Sequence, residues 1–182
     1  METTCPGCGA KFNKCDGPTH KYFGESPECW KAYGQVLARE YENRNYWQVH
    51  RLTVDTYAVQ HPLNTDKRNI QSVNIHLMAL YAILELQQPF ETIPPLLDAA
   101  ANNFKDDFLY LTPPTKLGEI TVLDVLGANS APEHCTAVWD WSRSVWAAWS
   151  PQRRAIEELF VRTKPLIGSR HVRTTAALKS RQ

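Results

Sequence analysis

The chain has 182 residues, 43% hydrophobic and 21% charged, with a formal charge of +1. That is room for one domain with a sizeable core, alone or with a small accessory module. The balance argues for neither a nucleic-acid binder nor an acidic tail protein, and the composition excludes collagen-like and fully disordered chains. The longest apolar run, Leu77 to Leu84, falls far short of the ~20 residues a membrane helix needs, so no membrane partner is expected. The first residues lack the basic-then-apolar plan of a secretory signal. A cytoplasmic protein is expected.

Residues 1–25 are rich in Gly, Pro, Cys and Lys without a sustained period, and bury too little to fold unaided. Ser26-Pro27 is an N-cap followed by proline at the first helical position. The helix it opens runs to about Asn43, with Trp30, Tyr33, Val36, Leu37 and Tyr41 at helical spacing. A second helix is predicted from Arg44 to His61, stopped by Pro62. Its apolar residues lie on two sides, which predicts packing on two sides. After the polar Asn64-Thr65-Asp66, a third helix spans about Lys67 to Gln87. Its Ile75–Leu86 stretch is apolar nearly all round, as a central helix requires.

Leu96 to Phe104 reads as a short helix begun at Pro94-Pro95. Tyr110 to Ile120 reads as a loop with room for a short strand pair, and Thr121 to Leu126 as a helical turn closed by Gly127. Ser130-x-x-Glu133 is a capping box opening a helix to Trp149. Trp139, Trp146, Trp149 and Cys135 share its apolar arc with Val138, Trp141, Val145 and His134. Ser150-Pro151 restarts a helix through Ile156, Leu159 and Phe160, ending near Gly168. The reading is an all-α helical bundle over 26–168, with a zinc-knuckle module over 1–30 docked on it and a basic tail over 169–182.

Residues 1–161 hold 14 Lys and Arg against all 19 acids, a net −5, and residues 162–182 add six basic residues. Nucleic acid could be touched only through this tail. No aromatic residue follows Phe160 to stack on bases, so a solvated terminus is the plainer reading.

Four of the five cysteines, Cys5, Cys8, Cys15 and Cys29, fall in the first 29 residues. Without a secretory signal, clustered thiols read as metal ligands rather than disulfides. Cys5-x-x-Cys8 suits two corners of a tetrahedral zinc ion, with Gly7 and Gly9 allowing the tight turn. Cys29 sits in the first turn of a helix, where the helix terminus favours a thiolate. The expected zinc ligands are Cys5, Cys8, His20 and Cys29, with Cys15 the substitute for His20. Four protein ligands leave no open position, so the zinc is read as structural. Cys135 reads as a buried, inert thiol.

The bundle carries further candidates. His61, in the last turn before Pro62, is expected to bond exposed helix carbonyls. His50 and His76 come level if the second and third helices form an antiparallel hairpin turning near residue 63. They could then hold a metal or act as a proton-transfer pair, with His134 as a third nitrogen. Asp55 suits a supporting partner or an ion pair with Arg51. Core histidines, each satisfied by a hydrogen bond, are the simpler alternative. Trp139, Trp146 and Trp149 are core, or the lining of a ligand pocket. No phosphate-binding loop, nucleophile-elbow or zinc-protease motif is present.

The strings CPGCG, GPTHKYFGESPECWKAYGQVLAREY, HRLTVDTYAVQHP and QSVNIHLMALYAILE together resemble a family of uncharacterised bacterial proteins, over roughly residues 5 to 160. The signature is CPGC, GPTH, SPxCW and DxYAxQHP. It falls here on Cys5, Cys8, His20 and Cys29, then on Asp55, Tyr57, Gln60 and His61. Cys15 lies outside it. The resemblance carries no activity, but it draws attention to Asp55–Pro62. Two functions stay open: a small soluble zinc-binding helical protein serving an unknown small-molecule or protein partner, or a metal-dependent hydrolase or transferase using His50, Asp55, His61, His76 or His134.

Overall fold

The computed structural model describes residues 1–63, 66–104 and 106–163. The fold is mostly helical, with one two-stranded sheet at the start. Strands β1 (Glu2–Thr4) and β2 (Lys11–Asn13) pair antiparallel, Thr4 opposite Lys11. No periodicity announced this hairpin. It exists because the turn between its strands, Cys5 to Ala10, is folded tightly, with Cys5 N–H donating to the Ala10 carbonyl at 2.8 Å. Helix α1 (Pro27–Glu42) starts as expected, with Ser26 Oγ accepting from Cys29 N–H.

The single helix predicted over Arg44 to His61 is two. Helix α2 (Arg44–Trp47) ends before Val49, whose ψ of 3° leaves the helical range, and α3 (His50–Gln60) begins there. The break lets Trp47 fold back and stack on His50, ring centroids 4.1 Å apart. Every residue from Leu52 to Gln60 except Val54 is buried, because α3 is wrapped by α1, α4 and α7.

Helix α4 (Lys67–Leu84) is capped by Asp66 and stops three residues short of the expected Gln87. Gln87 takes a left-handed φ of 53°, and Gln88 N–H donates to the Ala82 carbonyl at 2.9 Å, closing the helix end. Leu77 to Ala82 are all buried, as a central helix demands. Helix α5 (Ile93–Asn103) begins on Pro94-Pro95. Residues 110–120 form no strand pair, and run as a loop to α6 (Val122–Leu126), boxed by Thr121 and Asp124.

Helix α7 (Ala131–Ala148) opens on Ser130, whose Oγ accepts from Glu133 N–H while the Glu133 carboxylate reaches back to Asn129 N–H. A last helix covers 153–163. The expected continuation to Gly168 and the basic tail lie outside the described residues. Among the described residues, no helix is long and apolar enough to cross a membrane.

Candidate metal centre and the buried histidines

The knuckle is shaped by two glycines. Gly9 adopts a φ of +75°, and its N–H closes the turn on the Cys5 carbonyl at 3.0 Å. Gly7 is needed for space: a Cβ there would lie 2.5 Å from His61 Cδ2 and 2.9 Å from the Gly24 carbonyl oxygen. The turn is thereby pressed against the end of α3. The loop before α1 returns to the same place, where Gly24 N–H donates to the His61 carbonyl at 2.9 Å.

Four donor atoms meet there. The Sγ atoms of Cys5, Cys8 and Cys29 and a ring nitrogen of His61 all lie within 4.8 Å of one another. Cys8 and Cys29 Sγ are 3.8 Å apart, and Cys29 Sγ is 3.3 Å from His61 Nε2. A tetrahedron with Zn–S bonds of ~2.3 Å has S···S edges of ~3.8 Å, so these residues fit a tetrahedral ion. His61 is the C-cap of α3, and its Nδ1–H donates to the Tyr57 carbonyl at 2.8 Å. It therefore makes the helix-end bond expected of it, and that bond fixes the tautomer that leaves Nε2 as a ligand.

Cys29 gains two further supports. It stands in the first turn of α1, where the helix terminus favours negative charge, and the Tyr57 hydroxyl donates to its Sγ at 3.6 Å. Burial pushes the Tyr57 phenol up, which keeps that donor protonated. With protons in place of a metal the sulfurs compete. Hydrogen bonds to Cys5 and Cys8, then burial, push the Cys29 thiol up. Burial pulls the His61 pKa down, but the bonds to Cys5 and Cys8 outweigh it and hold it at about 9.

His20, the expected fourth ligand, is not in this group. The turn closed by Phe23 N–H on the His20 carbonyl lays its ring against Phe23 and Trp30, at 4.6 and 5.2 Å between centroids. His20 is thus part of an aromatic cluster beside the knuckle. Cys15 is also elsewhere: its N–H donates to Glu28 Oε1 at 2.8 Å. The ligand-bearing end of α3 is remote in sequence, and spacing rules written for contiguous knuckles pass over it.

The profile of a family described as "Family of unknown function (DUF5946)" matches residues 3–150. The chain belongs to this family. No curated protein and no solved structure matches it. The DUF5946 match spans all four converging residues and the helices that carry His50, His76 and His134.

His50, His76 and His134 gather on two buried carboxylates. Glu40, near the end of α1, accepts from His50 Nδ1 at 2.7 Å, from His134 Nε2 at 3.0 Å and from the Thr53 hydroxyl. Burial raises the Glu40 pKa, but the bonds from His134, His50 and Thr53 outweigh it and hold the carboxyl below its ordinary value. Asp55 takes a bidentate pair from Arg51, at 2.7 and 2.6 Å, and a third bond from His76 Nδ1 at 2.7 Å. The expected level pairing of His50 with His76 is replaced: the α3–α4 register sets Asp55, not His50, opposite His76. Asp55 holds the Arg51 pair foreseen for it, and His134 joins His50 through Glu40.

Cys135 is half-buried, its thiol 3.7 Å from the Asn45 carbonyl, instead of sealed in the core. The tryptophans divide. Trp141 and Trp149 are fully buried, bonded to Gln60 Oε1 at 2.8 Å and to the Val59 carbonyl at 3.0 Å. Trp139 and Trp146 line a surface cleft.

Proposed function

We propose that this DUF5946 protein is a zinc-binding helical protein whose ion is structural, held by Cys5, Cys8, Cys29 and His61. The observation that carries the reading is the convergence of four soft or borderline donors within 4.8 Å at a buried point. Three thiolates and one imidazole favour zinc over hard cations such as magnesium or calcium. With four protein ligands no coordination position is left for water, so the ion fastens the knuckle to α1 and α3 and activates nothing. Ligation needs reduced thiols, which agrees with a cytoplasmic protein.

Cobalt substitution tests this. Tetrahedral Cys3His coordination gives intense visible d–d bands and a thiolate charge-transfer band in the near ultraviolet. Weak bands of five- or six-coordinate cobalt would refute a closed site. The protein's partner, on this reading, is a small molecule or another protein, with nucleic acid engaged only through the basic tail.

A second reading is a metal-dependent hydrolase or transferase centred on the bundle. It is favoured by the two carboxylate–imidazole pairs, Glu40–His50 and Asp55–His76. Such pairing orients a metal ligand or a general base and leaves Nε2 as the working nitrogen. The side chains of His50 and His76 are 16% and 18% exposed over fully buried carboxylates. Metal analysis separates the readings: one zinc per chain supports the first, and about two, with the second lost in His50→Ala, supports the other.

A further inference from the structure

A cleft of about 570 Å³ opens between the C-terminal end of α4 and the outer face of α7. Its volume lies in the range of small-molecule sites. Phe90, Trp139 and Trp146 form its aromatic walls, and Glu85 and Arg143 supply its charges. Phe90 and Trp139 stack at 6.1 Å between centroids, inclined by 28°. Ile83, Leu84 and Glu85 also line it, so the negative end of an 18-residue helix points there.

The chain's own cations show what this surface accepts. The Arg143 guanidinium lies 5.4 Å from the centre of the Trp139 ring. The Arg153 guanidinium bonds Glu85 Oε2 at 2.7 Å, while Trp146 Nε1–H donates to Glu85 Oε1 at 2.8 Å. Both arginines are mostly exposed, with side chains 63% and 53% accessible. Among the described residues, Arg143 is otherwise tied to the exposed Asp140, at 3.2 Å. Arg143 lines the cleft, and Arg153 stands outside its lining. Electron-rich ring faces, a carboxylate whose orientation an indole fixes, and a helix C-terminus all favour positive charge.

We infer that this cleft binds a small free organic cation of the guanidinium or alkylammonium class, with Trp139 and Glu85 as its main contacts. Arg143 is then a built-in competitor for the Trp139 face. The site shares no residue with the metal centre, so it stands or falls separately from it.

Benzamidine, its neutral isostere benzamide and the anion benzoate test the inference on the intact protein. The readout is the indole N–H resonances of Trp139 and Trp146, assigned by single tryptophan substitutions. Benzamidine should shift both saturably and bind about tenfold more tightly than benzamide. Glu85→Gln, which can still accept from Trp146, should weaken benzamidine about tenfold. Arg143→Ala, at an exposed position that does not threaten folding, should tighten it by about threefold. Equal binding of benzamide, preferential binding of benzoate, weakening in Arg143→Ala, or no saturable shift would each overturn the assignment.

Discussion

Replacing His61 by alanine removes one of four donors from the metal centre and leaves His20 untouched. On the proposed structural-zinc reading, binding contributes ~10–16 kcal/mol at neutral pH, so one ligand accounts for ~3–4 kcal/mol. At 1.4 kcal/mol per decade, that is a loss of about two to three orders of magnitude in affinity. The His61 side chain is fully buried between the knuckle and Tyr57, so water replaces its nitrogen poorly. His20→Ala should leave the affinity within about twofold, because its ring packs on Phe23 and Trp30 and lies outside the sulfur cluster. Competition against a chromophoric chelator measures both, with far-ultraviolet circular dichroism confirming that each variant is folded. Loss of metal in His20→Ala with retention in His61→Ala would refute the ligand set and the fold relation between α3 and the knuckle.

Four other substitutions probe how the site and the helices around it are held. Gly7→Ala should lower metal affinity markedly, since its Cβ meets His61 and the Gly24 carbonyl, whereas Gly9→Ala meets open space and should cost only ~1–2 kcal/mol for its φ of +75°, both read by thermal melting with and without chelator. Glu40→Gln should destabilise the bundle by ~2 kcal/mol at neutral pH in urea titrations. Because the Glu40 pKa is depressed from its ordinary 4.5, its contribution is complete above that value and lost as pH falls through the lower folded one; the variant's stability should therefore change less than the parent's on acidification below pH 4.5. Gln60→Leu should cost ~2–4 kcal/mol and speed hydrogen exchange over 117–120, because Gln60 Nε2 donates to the Leu117 and Ile120 carbonyls and Oε1 accepts from Trp141.

Local chemistry made much of the fold legible. Ser26-Pro27 and Ser130-x-x-Glu133 mark real helix starts because capping is decided within one turn. The apolar run in α4 marks the central helix because burial on all sides leaves no polar face to write. The ends that failed depend on distant packing. Val49 breaks a helix so that Trp47 can cover His50, and the left-handed Gln87 lets Gln88 N–H close α4 early on the Ala82 carbonyl six residues back. The site divided the same way. Cys5, Cys8 and Cys29 stood out by spacing and by position at a helix start. His61 stood out as a helix end, in the DxYAxQHP signature and among the bundle candidates, but not as a partner of the sulfurs, because joining it to them requires knowing that α3 runs antiparallel to α1. A cluster of aromatic residues around His20 gave that nearer histidine an alternative home.

The last residue of α3, Gln60, and its C-cap, His61, secure different things. Gln60 clasps the carbonyls of Leu117 and Ile120, and His61 reaches the sulfurs. The knuckle and a stretch running from Thr115 into α6 line one surface groove, and both are bonded to adjacent residues at the end of α3. On the proposed zinc reading, two stretches of chain more than a hundred positions apart, at Cys8 and at Leu117, are thus anchored by successive residues where α3 ends.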